Sequence, residues 1–324
     1  MKIHRVTLPT PFAIGPVNTY LIEDEELALI DTGPKMVKTS DALQNGLRDL
    51  GYTFADLKHI IITHAHEDHF GQARFLKEQS GARVYAHKAS LPMLEGLESE
   101  FDLRYNVYRR RLMRNAGAPE EVILAVQPIV DSFKESAEAV AVDEALEDGD
   151  VIHVGRTQLQ VIYTPGHAAG AMCLHHPGDK ILFSGDHLLP DVSSNAVIDA
   201  PLDCGDCRRR SLVEYISSLR LIQAMGLDLV YPAHGDEIRD HRTLIEQRLA
   251  FYETRKSAIL GALGDGEKTP YQLSRKLFPA IREFEIFLAL SEVIGHLDLL
   301  ENEGKVAWRM SDGVVRYRRG TASG

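Results

Sequence analysis

Between His64 and His69 the chain carries three histidines and an aspartate within six residues, in the run Thr63-His64-Ala65-His66-Glu67-Asp68-His69. Imidazole and carboxylate are ligands for zinc, iron and manganese. The run follows Leu57 to Thr63, a short β-branched stretch that predicts a buried strand. A strand ending in a tight loop can aim His64 and His66 at one ion, with Asp68 and His69 directed toward a neighbouring one. Downstream, Thr164-Pro165-Gly166-His167, Ser184-Gly185-Asp186-His187 and Pro232-Ala233-His234-Gly235 repeat one arrangement. Each is an apolar run, a small residue that lets the backbone bend, then a ligand-type side chain. Ligands delivered from several strand ends onto one edge are how α/β scaffolds build sites.

THAHEDH, with His167, Asp186, His234 and Asp31 in an Asp-Thr-Gly turn, resembles the metallo-β-lactamase superfamily from about residue 15 to residue 240. The resemblance implies an α/β fold, an αββα sandwich with a two-metal site at one edge. It implies that His64, His66 and His167 hold the first metal. Asp68, His69 and His234 would hold the second, and Asp186 would bridge the two. Asp31 matches the family's first motif and is expected to orient a ligand rather than to be one. The long interval between His69 and His167 departs from the pattern and is expected to cap the site. Zinc is the expected metal, with iron or manganese as alternatives.

The elements that must position these residues follow from periodicity. Thr19 to Glu23 and Leu27 to Ile30 predict short strands. Thr39 to Leu50 has helical spacing, ended by Gly51. Residues 91–145 read as a charged helical insertion. Strand character returns at Val151 to Val154, Leu159 to Tyr163, Ala171 to His175, Lys180 to Phe183 and Leu229 to Tyr231. Arg209 to Met225 and Leu244 to Leu263 predict helices, and 190–206 predicts a loop. A glycine-rich break at residues 261–266 predicts a boundary between a catalytic domain (1–262) and a small C-terminal domain (263–324). The latter reads as helix, helix and a β hairpin turning at Ser311-Asp312-Gly313, which resembles a winged helix.

Composition bounds the partners. The 324 residues carry 47 acidic and 36 basic side chains, a formal charge of −11. That argues against a surface that coats nucleic acid or anionic membrane. Residues 263–324 hold nine basic and nine acidic side chains, so the tail lacks the basic footprint of a DNA binder. Three cysteines exclude a disulfide framework. No secretory signal is legible, and a cytoplasmic location is expected. Arg104, Arg109, Arg110, Arg111 and Arg114, with Tyr105 and Tyr108, read first as a solvated helix face. They read second as an anion site. Arg208-Arg209-Arg210 carries the same ambiguity. Cys204 and Cys207 have half the ligands of a structural zinc site and read as a loop. Leu288, Leu290, Ile294, Leu297 and Leu300 offer an apolar face for packing or a homodimer.

Two divalent ions can share a hydroxide at neutral pH, which attacks a carbonyl or phosphoryl centre. Asp68 is placed to hold that hydroxide and later pass on its proton. The expected activity is hydrolysis of a small ester, thioester or lactone, on a small-molecule acyl substrate. A phosphodiesterase, specifically a single-strand endoribonuclease, is the alternative. An iron-dependent redox enzyme on the same scaffold is the second.

Overall fold

A computed structural model describes residues 1–200, 208–282 and 285–320. Its first half runs β1 (Lys2–Leu8), β2 (Val17–Glu23), β3 (Leu27–Ile30), α1 (Val37–Asp49), β4 (Leu57–Ile62), α2 (Glu67–Phe70), α3 (Ala73–Ser80) and β5 (Arg83–His87). The insertion follows as α4 (Leu91–Glu95), α5 (Leu97–Phe101), a π-helical turn (Asp102–Tyr108), α6 (Arg109–Asn115), α7 (Glu120–Ala125) and α8 (Gln127–Glu135). Then come β6 (Glu144–Leu146), β7 (Val151–Val154), β8 (Thr157–Tyr163), β9 (Met172–His176), β10 (Ile181–Gly185), α9 (Ser211–Ala224), β11 (Leu229–Pro232) and α10 (His241–Leu263). The chain closes with α11 (Pro270–Leu277), α12 (Ile286–Asn302), β12 (Val306–Ser311) and β13 (Val314–Arg319).

β1 to β6 form one sheet in chain order, and β11-β10-β9-β8-β7 form a second. Strand β4 shows why they stack. Its Ile60 and Ile62 join the cluster under α1, α3 and the insertion, while Ile61 joins the cluster between the sheets. A continuous apolar run with period-2 geometry must be covered on both faces. The inter-sheet cluster includes Tyr20, Ile30 and Ile61 from one sheet, and Leu159, Met172 and Phe183 from the other. The second sheet's outer face, with Cys173, Leu182 and Val230, is covered by α9 and α10. The layers are therefore helix, sheet, sheet, helix, the sandwich that the motifs imply.

Three strands go beyond those legible in the sequence. β1 is an edge strand whose alternate residues meet solvent, and β5 is only five residues long. The insertion is helical as far as Glu135 but then contributes β6, which pairs parallel with β5. Three residues give no alternation to read.

The C-terminal helices and hairpin have the expected order. One apolar cluster unites Ile259 and Leu263 of α10, Leu273 of α11, Leu297 and Leu300 of α12, and Tyr317 of β13. Helix α12 also sends Ile286, Leu290 and Ile294 into the core beneath the first sheet. Its apolar face is thus covered within the chain, save Leu288, which is 44% exposed. Arg208 donates from Nη1 to Asp298 Oδ2 at 2.6 Å, Arg209 pairs with Glu214, and Arg210 pairs with Glu301. The basic triplet therefore ties α9 to itself and to α12. Asp298 is 1% exposed. Arg208→Ala would leave that carboxylate buried and uncompensated, so a loss of about 3 kcal/mol in denaturant unfolding is expected.

Candidate metal centre

The parallel pairings set the edge. β3 and β4 run parallel, so Asp31 and Thr63 emerge side by side, and Asp31 N–H donates to Ile61 O at 2.9 Å. β10 and β11 are also parallel, with Gly185 opposite Pro232. Met172 N–H donates to Thr63 O at 3.0 Å and Ala233 N–H to Gly185 O at 3.0 Å, which draws the strand ends together. Gly166 and Gly185 make the bends, with φ of +135° and +50°. A Cβ on Gly166 would lie 2.4 Å from Tyr215 Cα. Gly166→Ala is therefore expected to cost about 1–3 kcal/mol and to displace His167, lowering both the melting temperature and metal content.

All seven residues expected to bind metal meet here. Ligand atoms of His64, His66 and His167 lie within 4.8 Å of one another, as do those of Asp68, His69 and His234, and those of His64, His69 and Asp186. Asp186 lies between the first two groups. Its Oδ2 is 3.5 Å from His167 Nε2, and its Oδ1 is 3.5 Å from both His69 Nε2 and His234 Nε2. Asp68 places Oδ1 3.6 Å from His69 Nε2 and Oδ2 3.5 Å from His234 Nε2.

The outer hydrogen bonds fix which nitrogen faces inward. His69 Nδ1 donates to Asp31 Oδ2 at 2.8 Å, and His234 Nδ1 to Pro16 O at 2.8 Å. His167 Nδ1 donates to Asn195 O at 2.9 Å. Thr63 Oγ1 donates to Asp31 Oδ2, which leaves the threonine oxygen to accept from His64 Nδ1 at 3.1 Å. A ring whose Nδ1 carries the proton presents Nε2 as a lone pair. Four imidazoles thus turn Nε2 lone pairs into the centre, and His66 turns Nδ1, 3.0 Å from Nε2 of both His64 and His167.

Converging lone pairs need a cation. His69 Nε2, His234 Nε2 and Asp186 Oδ1 are buried without a hydrogen-bond partner. Buried polar atoms are almost always satisfied, so ligand atoms that converge without partners form a set that could hold a metal ion. Charge agrees. Burial lowers the pKa of His69, yet the carboxylates of Asp68, Asp186 and Asp31 outweigh it and hold the imidazole well above its usual range, so without a metal Nε2 carries a proton that a bound cation would displace. Burial and the neighbouring His167 push His66 down to about 3. Excess carboxylate on one side and neutral imidazole on the other suit divalent ions at both clusters. The residues present therefore fit the two-metal set.

Asp31 is buried. It accepts from Thr63 N at 2.8 Å, Thr63 Oγ1 at 2.8 Å and His69 Nδ1, consistent with the orienting role expected for it. His187 is buried edge-on to Tyr215, with ring centroids 5.1 Å apart, and burial pushes its pKa down to about 3. Two arginines depart from the solvated-face reading. Arg104 and Arg109 are 8% and 9% exposed. Arg104 donates to Glu100, Asp199 and Ala200 O, and Arg109 stacks on Phe287 at 4.2 Å. The π-helical turn changes the spacing on which the helical face was drawn. Cys204 and Cys207 lie outside the described residues.

Residues 13–234 match the family described as the Metallo-beta-lactamase superfamily, a span that holds Asp31 and ends on His234. The chain is 32% identical over 313 residues to the Probable metallo-hydrolase YqjP of Bacillus subtilis, covering 97% of this chain and 96% of that one. It is 24% identical over 324 residues to the Atrochrysone carboxyl ACP thioesterase of Aspergillus terreus, covering 94% and 81%. A solved metallo-beta-lactamase family protein from Thermus thermophilus superposes with a TM-score of 0.82 at 30% identity, covering 98% of each chain. Ligand spacing, sandwich topology and the match across most of the chain agree: this protein belongs to the metallo-beta-lactamase superfamily.

Proposed function

We propose that this chain, a metal-dependent hydrolase, is dinuclear and cleaves a small ester, thioester or lactone. The observation that carries the reading is the set of buried, unpartnered ligand atoms on His69, His234 and Asp186, with Asp186 reaching both groups. His64, His66 and His167 would hold one ion, Asp68, His69 and His234 the other. Divalent ions bound there supply a Lewis acid and a nucleophilic hydroxide at neutral pH. The chain's own residues orient and exclude. Asp31 locks the His69 ring, the Pro16 and Asn195 carbonyls lock His234 and His167, and Asp68 is placed to hold and pass on a proton. No Ser or Cys nucleophile is required, and Cys173 is buried with its thiol pushed up to about 12 by burial.

An acyl substrate is favoured over a phosphodiester by what has become of the arginines. The 208–210 triplet is engaged with Asp298, Glu214 and Glu301, and Arg104, which lines the cavity beside His66 and His167, is already paired with Glu100 and Asp199. The thioesterase name carried by the Aspergillus terreus relative points the same way. All-nitrogen-and-oxygen ligation favours zinc, with iron or manganese compatible. No helix among the described residues is long and apolar enough to cross a membrane. A cytoplasmic setting is part of the proposal. The test pairs metal analysis of protein made without added metal with a panel of thioesters, lactones and short RNA. About two zinc ions per chain with acyl hydrolysis is expected. RNA cleavage without acyl hydrolysis would overturn the reading.

A further inference from the structure

Helix α12 carries none of the expected metal ligands, yet it is bonded to the segment that orients one of them. That segment, 188–200, follows Asp186 and belongs to no helix or strand. Its Ser194 and Asn195 are the outer partners of His167. The Asn195 carbonyl lies 2.9 Å and the Ser194 hydroxyl 2.8 Å from Nδ1 of that ring. The same carbonyl accepts from Val197 N–H at 3.0 Å, closing a tight turn.

A stretch of chain outside the sheets owes its place to the tethers on either side of it. Here they come from two helices. From α10, Arg248 Nη2 donates to the carbonyls of Leu189 at 3.3 Å and Pro190 at 2.9 Å, and the Tyr252 hydroxyl bonds the Ser193 hydroxyl at 2.7 Å. On α12, Ser291 Oγ accepts from Ile198 N–H at 3.3 Å, and the Leu288 carbonyl accepts from Asn195 Nδ2 at 3.2 Å. Tyr252 and Ser291 are both buried, so removing either hydroxyl leaves its partner poorly placed to find water instead. The other metal group is anchored elsewhere. His69 is held by Asp31 at the end of β3, and His234 by Pro16 in the β1–β2 loop.

We propose that Tyr252 and Ser291 are positioning residues for His167, and that through them α10 and α12 set the affinity of the metal group formed by His64, His66 and His167 but not of the other. The assignment rests on the two-metal reading and deepens it, giving the C-terminal helix a part in metal binding. The outer acceptor of a metal-bound imidazole fixes the direction of the ring and the basicity of its inner nitrogen. Losing such a partner costs about 10–100-fold in metal affinity. Tyr252 and Ser291 act one bond further out, so the lower end of that range applies to each. The asymmetry follows from the anchors. Releasing the segment frees His167, while Asp31 and Pro16 go on holding His69 and His234.

The test is zinc binding to the full chain, made metal-free and titrated in competition with a chromophoric chelator. Two binding steps are expected. Asp31→Asn, which frees His69, marks the step that belongs to its group. Ser291→Ala and Tyr252→Phe are each expected to weaken the other step about tenfold and to leave the marked step within about twofold. Val306→Ala separates a merely structural role, because it thins the C-terminal apolar cluster and lies outside the tethers. Its melting temperature should fall while both zinc affinities hold. In a His167→Ala background the effect of Ser291→Ala should vanish, since the ring it positions is gone. Weakening of both steps alike, equal weakening by Val306→Ala, an effect that persists in His167→Ala, or no change in either step overturns the proposal and leaves the two-metal reading intact. A single zinc per chain fails the two-metal reading instead. The proposal then stands if that one affinity falls in Ser291→Ala but neither in Val306→Ala nor further in the His167→Ala background, and is overturned otherwise.

Discussion

Asp186→Asn should lower metal content from about two ions per chain to one or fewer and reduce ester turnover by more than about a hundredfold. The expectation comes from where the two oxygens lie. Oδ2 reaches toward His167 and Oδ1 toward His69 and His234, so one carboxylate serves both groups of imidazoles. Asparagine keeps the shape but has only one acceptor oxygen, and its amide nitrogen would face lone pairs on one side. It also removes one of the negative charges that offset cations in a buried site. Losing the outer partner of a metal ligand costs about 10–100-fold in affinity or activity. Asp31→Asn belongs in that range, because Asp31 holds His69 from behind. Asp186→Asn must exceed it if the carboxylate contacts the ions directly. Metal analysis and kinetics on the two variants side by side give the comparison. An Asp186→Asn protein with full metal occupancy and a smaller kinetic loss than Asp31→Asn would exclude the bridging role.

The ligands were legible because each sits where an apolar strand stops, and that transition is a sequence signal. His64 follows Ile60 to Ile62, Asp186 follows Phe183 and Gly185, and His234 follows Val230 and Pro232. Of the parts that orient them, Asp31 was expected from its Asp-Thr-Gly turn, and the others were not. His167 and His234 are held by the carbonyls of Asn195 and Pro16, and a backbone acceptor has no side-chain signature. Asn18 and Tyr20, which donate to the carbonyls of Pro232 and Gly235, act across more than two hundred residues of chain. Two arginines of the insertion were misread for a different reason. Arg104 and Arg109 look like surface residues while the charges around them are counted. They become wall residues because Arg104 is held by Asp199 and Ala200 and Arg109 lies over Phe287 of α12. Such burial is a tertiary outcome that local spacing does not encode.

Asp68→Asn carries the larger kinetic expectation for a residue that only partly determines metal binding. Asp68 is the second residue of α2, two places after His66, so its position is set by the same turn that aims the first two histidines. Its side chain is 13% exposed, and both oxygens point at imidazole nitrogens, His69 at 3.6 Å and His234 at 3.5 Å. Those two histidines keep their outer anchors when Asp68 is changed, since Asp31 and Pro16 hold them independently. The second ion should therefore be retained in part. Turnover should fall much further, because the amide can neither take nor release a proton. General acid–base contributions of this kind are worth about 10²–10⁴-fold in rate. The expected result is a kcat lower by about that range, with KM changed far less and metal analysis showing more than one ion per chain. Near-normal turnover at full metal occupancy would remove Asp68 from the proton-handling role. A loss of both metal and activity in strict proportion would reduce it to a ligand alone. Asp186→Asn, which is expected to lose metal as well as turnover, gives the comparison within the same site.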